Sequence, residues 1–161
     1  MTNFNANKFR PDPKPIRKEK VNKEPIKRTA IKPKEHVGFI SVLDSEFSKY
    51  IRQSYADEYG RVKCYTCPTK KPWKQMQNGH FITRGNMAAR YDEDNCRPQC
   101  KECNQFKNGK PVEFAKQLLI ELGPKKFMAL LKKKYEITQL RSNMVNELIE
   151  KYKELNKQFN G

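Results

Sequence analysis

Four of the five cysteines fall into two short pairs, Cys64-Tyr-Thr-Cys67 and Cys100-Lys-Glu-Cys103, with 32 residues between them. A two-residue gap lets both sulfurs of a pair face one ion, and two such pairs complete a tetrahedral four-thiolate zinc site with bonds of about 2.3 Å. Two disulfides are the alternative. The sequence shows no signal-peptide h-region after Met1, which favours a reducing compartment and therefore Zn²⁺. A redox Cys-x-x-Cys pair fits less well, because there are two pairs and no βαβ pattern surrounds either. The fifth cysteine, Cys96, reads as a small buried apolar residue.

Between and beside these pairs lie residues suited to phosphodiester chemistry. In order the constellation is Cys64-x2-Cys67, Gly79-His80, Asn95, Cys100-x2-Cys103-Asn104, Lys107. An imidazole such as that of His80 suits general-base work near neutral pH. Lys107 stands one helical turn after Asn104 and can face the same phosphate. Arg84 and Arg90 suit phosphate clamping, and Lys70, Lys71 and Lys74 form a basic segment fitted to DNA. His36, at the edge of the N-terminal segment, carries no signal. Each of these residues also has a plain structural reading: a buried polar histidine, an asparagine that caps or builds a turn.

The constellation resembles the HNH endonuclease motif in its zinc-braced form, over about residues 61–110. A longer set of words is similar to the phage NinG recombination proteins, the lambda Rap-like family, over about residues 41–135. These are Phe47-Ser48-Lys49-Tyr50-Ile51-Arg52, Gly79-His80-Phe81, Arg90-Tyr91-Asp92-Glu93-Asp94-Asn95, Gln99-Cys100-x2-Cys103-Asn104 and Gly109. The resemblance implies a metal-dependent, structure-selective DNA endonuclease acting on branched recombination intermediates such as Holliday junctions and D-loops. In that class His80 matches the histidine that activates water, Asn104 the helix residue that holds a catalytic Mg²⁺ or Mn²⁺, and Asn95 the asparagine that orients the histidine segment. Many HNH enzymes carry Asp or His directly before the base as a further metal ligand; here that position is Gly79. Asp92, Glu93 or Asp94 would then supply oxygen to the ion, since hard cations need oxygen ligands. The same departure sustains another reading, a non-catalytic zinc-containing DNA-binding accessory protein. A third, an RNA-binding zinc ribbon, leaves the order of His80, Asn95 and Asn104 to coincidence.

The elements that must position these groups are legible in outline. Phe47, Tyr50, Ile51, Ser54, Tyr55 and Tyr59 recur at helical spacing and predict a helix over 41–59, capped by Asp44 or Ser45 and stopped by Gly60. Residues 61–65 read as a short strand, 68–72 as a turn, and Asn78-Gly79 as a turn leading into a strand over 80–83. A helical turn over 86–90 and a polar loop over 91–99 follow. The second cysteine pair opens a helix that ends at Asn108-Gly109. Helices over 112–122 and 125–134 are separated by Gly123-Pro124. A last helix from Thr138 carries a stripe of Leu140, Met144, Leu148, Tyr152, Leu155 and Phe159, either a packing face or a dimer seam. The fold class is α+β and mostly helical: a small treble-clef, or ββα-metal, zinc module over 61–110, a helix within 36–60, and helices over 111–161.

Composition agrees with a polyanionic partner. The 161 residues carry 34 Lys+Arg against 18 Asp+Glu, a formal charge of +16, and only 36% are hydrophobic. That core is thin, and a structural zinc site, worth about 10–16 kcal/mol of apparent folding free energy, would offset it. Residues 1–35 hold 11 Lys/Arg, 4 Asp/Glu and half of the ten prolines, and read as a disordered basic tail able to lie along phosphates. Branched or duplex DNA is the expected partner, with a phage recombinase or single-strand annealing protein and a second copy of the chain as further ones. No apolar run approaches the roughly 20 residues of a membrane span. The expected location is the cytoplasm of a bacterial host, for a phage-encoded protein.

Overall fold

The computed structural model describes residues 33–159, with side chains from residue 38 onward. The expectations for the tail and for the His36 side chain lie outside the described residues. Helix α1 spans Pro33–Ser54, with proline in its first turn, where the missing N–H costs nothing. It starts earlier and stops earlier than the sequence pattern predicts. Tyr55 and Tyr59 lie beyond it because the Asp57 carboxylate takes the backbone N–H groups of Tyr59 and Arg61, at 3.1 and 2.7 Å, and folds the chain into a turn. Gly60, at φ 67°, completes that turn and does not cap the helix. Asp44 and Ser45 are not caps either: both lie well inside α1.

Leu43, Phe47 and Ile51 form the buried face of α1 and pack against helix α3, Ser142–Lys157, through Val145, Ile149 and Tyr152. Phe47 meets the Tyr152 ring edge-on at 4.9 Å and the Tyr91 ring at 5.6 Å. The buried line of α3 is Val145, Ile149, Tyr152 and Asn156, rotated from the predicted stripe. Leu140, Leu148 and Leu155 flank this core, whereas Met144 and Phe159 are exposed. Helix α1 of the same chain covers this buried face, so the face serves in packing. Asn156 crosses the contact, donating to the Glu46 carbonyl at 3.1 Å and carboxylate at 2.8 Å.

The strands form two antiparallel pairs. Strands β1, Arg61–Lys63, and β2, Lys70–Pro72, pair with Val62 opposite Lys71, so the last three residues of the predicted 68–72 turn are strand. Strand β3, Gln77–His80, pairs with β4, Cys96–Gln99, placing Gly79 opposite Arg97 and His80 opposite Cys96. This corrects two expectations. Asn78-Gly79 is ladder, not turn, and the second half of the predicted 91–99 loop is a buried strand. Local turn chemistry yields here because β4 is wholly buried and its backbone groups need partners. The strand expected over 80–83 ends at His80. After β4 the cysteine pair enters a short helical segment whose last turn, Glu102–Phe106, is a π-helix.

Helix α2, Pro111–Lys133, is broken at Gly123 (φ 73°) before Pro124, where the sequence places a stop and a restart. Its buried residues Phe114, Leu118 and Leu130 pack with Ile82 and Ala89. Among the described residues no helix is long and apolar enough to cross a membrane.

Candidate metal centre and histidine cavity

Strand β1 leads directly into Cys64, and β4 leads directly into Cys100, so the two pairs converge between the sheets. The four sulfurs of Cys64, Cys67, Cys100 and Cys103 all lie within 4.8 Å of one another. Cys67 Sγ and Cys100 Sγ are 3.7 Å apart. That is far longer than a disulfide and close to the roughly 3.8 Å edge of a tetrahedron with zinc–sulfur bonds of about 2.3 Å. The Cys100 N–H points at Cys64 Sγ, 3.3 Å away, as expected for a thiolate supported by backbone amides. A closed all-sulfur shell fits a structural zinc ion, with no open position for chemistry. Cys96 stands apart, fully buried in the α1–α3 core, where desolvation pushes its thiol pKa far up.

His80 ends β3 and lines an open cavity of about 760 Å³ together with Asn104, Arg52, Arg84 and Asp44. Its Nε2 lies 3.1 Å from the Arg90 carbonyl. A carbonyl only accepts, so in the neutral ring Nε2 carries the hydrogen and Nδ1 holds the lone pair. Burial lowers the imidazole pKa below 6.5, and the charges of Arg84 and Arg90 act in the same direction, against bonds to the Arg90 and Asn78 backbones. The balance of these effects favours the neutral ring.

Asn95 is completely buried. Its amide oxygen accepts from the Ile82 N–H at 2.7 Å, and its amide nitrogen donates to the Ile82 and Ala89 carbonyls at 3.0 and 2.9 Å. It pins the chain two residues after His80. Asn104, on the π-turn, donates its amide to Gln77 Oε1 at 2.8 Å.

The basic residues separate into different settings. Arg84 is 61% exposed and makes one 2.6 Å contact with Asp44, whereas Arg90 is only 15% exposed and grips Asp44 with two nitrogens. Lys107 pairs with Glu102 at 3.3 Å and Lys70 with Asp57 at 2.7 Å. Lys71 and Lys74 are exposed around the β1–β2 hairpin, with Lys74 over the Trp73 ring.

Asp92, Glu93 and Asp94 do not reach the histidine. They line a second cavity with Lys133, Lys151 and Tyr152. Asp92 caps its own turn and pairs with Lys133 at 2.6 Å, and Glu93 accepts from Tyr50, Lys151 and Tyr152. The register of β4 turns this acidic run away from β3. The carboxylate that does line the histidine cavity is Asp44, with Arg52 two turns further along α1. The polar spacing Asp44, Ser48, Arg52 on one face of α1 is the signal that marks them. Burial raises the Asp44 pKa, but bonds from Arg90, Tyr91 and Arg84 outweigh it and hold the carboxyl below its ordinary value.

A family model described as the bacteriophage lambda NinG protein matches residues 5–160. The proteins named ninG of Escherichia phage 933W and Salmonella phage P22 are each 29% identical to this chain over 99 residues, and that of Escherichia phage lambda is 28% identical over 99. The matched stretch covers 61% of this chain and 46%, 45% and 45% of those relatives, so it spans about half of their length. No solved structure matches the chain. With the family model covering nearly all of it, the chain belongs to the bacteriophage lambda NinG family.

Proposed function

We propose that this protein is a metal-dependent, structure-selective DNA endonuclease of the HNH type, acting on branched recombination intermediates such as Holliday junctions and D-loops. The carrying observation is the setting of His80: its Nε2 lies 3.1 Å from the Arg90 carbonyl, and the ring lines an open cavity shared with Asn104 and two arginines. The order β3, β4, helical segment around the four cysteines agrees with a ββα-metal module braced by zinc.

In this reading Nδ1 of His80 takes a proton from water as its oxygen attacks phosphorus. The bond from phosphorus to the 3′ oxygen breaks, and that oxygen takes a proton from solvent. A divalent ion, Mg²⁺ or Mn²⁺, supplies stabilisation of the charge that develops on the phosphate and the leaving oxygen. Asn104 is the residue that would hold it. Arg84 meets a neighbouring phosphate, and Asn95 keeps the histidine segment in place.

One observation favours the second reading, a non-catalytic zinc-containing DNA-binding accessory protein: among the described residues the only carboxylate lining the histidine cavity, Asp44, is already compensated by two arginines. One gel separates the two. Purified protein and His80→Ala are incubated with four-way, forked and linear duplex DNA in Mg²⁺, Mn²⁺ or EDTA. Endonuclease function predicts metal-dependent scission of the branched substrates that His80→Ala loses while still binding them. Binding without scission in every metal decides for the accessory protein.

A further inference from the structure

We infer that Asp44 is a positioning residue for His80: from α1 it anchors the segment whose Arg90 carbonyl fixes the imidazole ring. This rests on the reading of His80 as the general base. Local sequence pattern assigns Asp44 no such part, because it stands 36 residues before His80 and reads as a cap.

The geometry is a relay of three links. Asp44 accepts four hydrogen bonds from three side chains of one segment. Arg84 Nη2 and Arg90 Nη2 reach Oδ2 at 2.6 Å, and Arg90 Nε and the Tyr91 hydroxyl reach Oδ1 at 3.0 and 2.9 Å. The two-point grip by Arg90 is the arrangement in which a guanidinium is held most rigidly. On the other side, Asn95 holds the Ala89 carbonyl at 2.9 Å. Arg90 is thus held through its side chain by Asp44 and through the preceding carbonyl by Asn95, and its own carbonyl takes the His80 Nε2–H at 3.1 Å. Asp44, Arg84 and His80 line one cavity.

Asp44 has an electrostatic part as well. The charged and titratable groups around His80 are Arg84 and Arg90 from the clamped segment, Asp44 and Arg52 from α1, and Cys96 across the β3–β4 ladder. Arg84 and Arg90 both oppose an imidazolium, and Asp44 is the one carboxylate in this set. The acid therefore acts on the base through the Arg90 carbonyl that it anchors, and its negative charge offsets the two guanidinium groups it binds.

The test is the ring of His80 in ¹⁵N-labelled, zinc-loaded full-length protein. The chain has two histidines, so the His80 signals are assigned by their loss in His80→Gln. The parent is expected to show the Nε2–H tautomer. In Asp44→Asn the two tautomers mix and the ring pKa falls. Arg90→Lys keeps the charge but loses the two-point grip, and it mixes the tautomers with a smaller pKa change. If Asp44→Asn does not fold, Arg90→Lys decides. A folded variant that keeps the parental tautomer and pKa overturns the inference. In parallel, Asp44→Asn should cut four-way junctions about tenfold more slowly with unchanged binding, and its acid limb should move to lower pH. If His80→Gln cuts like the parent, the general-base reading fails, while the ring measurement still decides whether Asp44 positions the imidazole.

Discussion

Gln99 occupies the space that a side chain at position 79 would need. A Cβ built on Gly79 would lie 2.7 Å from Gln99 Cδ and 2.9 Å from Cγ. Gln99 is fully buried and cannot easily retreat, because its amide nitrogen donates to Thr66 Oγ1 and to the Gly109 carbonyl, each at 2.8 Å. Thr66 belongs to the first cysteine pair, so one side chain braces the metal knuckle and closes the position before His80. The glycine that departs from the HNH pattern is thus a packing requirement of this chain.

Gly79→Ala should therefore destabilise the fold by about 1–3 kcal/mol, as overpacking does in a buried site. Gln99→Ala, itself destabilising, should make the same change at position 79 nearly neutral. Chemical denaturation of the two single variants and the double variant measures this coupling, and strict additivity would rule out the contact.

The four-cysteine centre predicts a metal-dependent fold. Cys64→Ser or Cys103→Ser, or zinc removal by a strong chelator, should leave the chain unfolded or aggregated, since the Val62–Met76 core is built on these cysteines. Zinc content and melting temperature report it. Either variant retaining full zinc and the parental melting temperature would contradict a four-thiolate site.

The sign of the pH dependence follows from His80. Burial holds its folded pKa below the ordinary 6.5. Between the two values the unfolded chain binds more protons, so stability rises with pH through this window and is lost as the pH falls below about 6.5. His80→Gln removes that contribution. Zinc-saturated parent and variant, melted at several pH values from about 7.5 to about 5.5, should differ in slope, the parent losing more on acidification. Parallel slopes would mean that the ring is not held neutral.

Arg84 and Arg90 look alike in sequence and should behave oppositely. Arg90→Ala breaks a largely buried two-point pair with Asp44 and should cost about 2 kcal/mol of stability. Arg84 is mostly exposed, and Arg84→Ala should leave stability nearly unchanged. It should instead weaken DNA binding and reduce the slope of log affinity against log salt by about one. Fluorescence anisotropy titrations at several salt concentrations check this; an unchanged slope would place Arg84 off the phosphate path.

Much of this molecule is legible in its amino-acid order. The paired cysteines declare a metal centre because ligand spacing is local, and the break at Gly123-Pro124 follows from backbone chemistry alone. The apolar face of α1 is visible at Phe47 and Ile51, since helical period is also local. Asn78-Gly79 misleads for the converse reason: its turn preference is weak beside the ladder that the buried β4 strand demands. The acidic run 92–94 misleads as well, because composition carries no direction, and only the register of β4 turns it from the histidine towards Lys133 and Lys151.

The sequence by itself determined the chemistry available: four thiolates, one histidine between them, and an excess of positive charge. Tertiary structure decided which groups meet. Asp44 reaches Arg90 across 46 residues of chain, and Gln99 reaches Thr66 across 33, through contacts that no local period encodes. Those long-range bonds anchor the segment that offers the Arg90 carbonyl to the imidazole and keep position 79 a glycine, because side chains far apart in sequence meet in the same buried space.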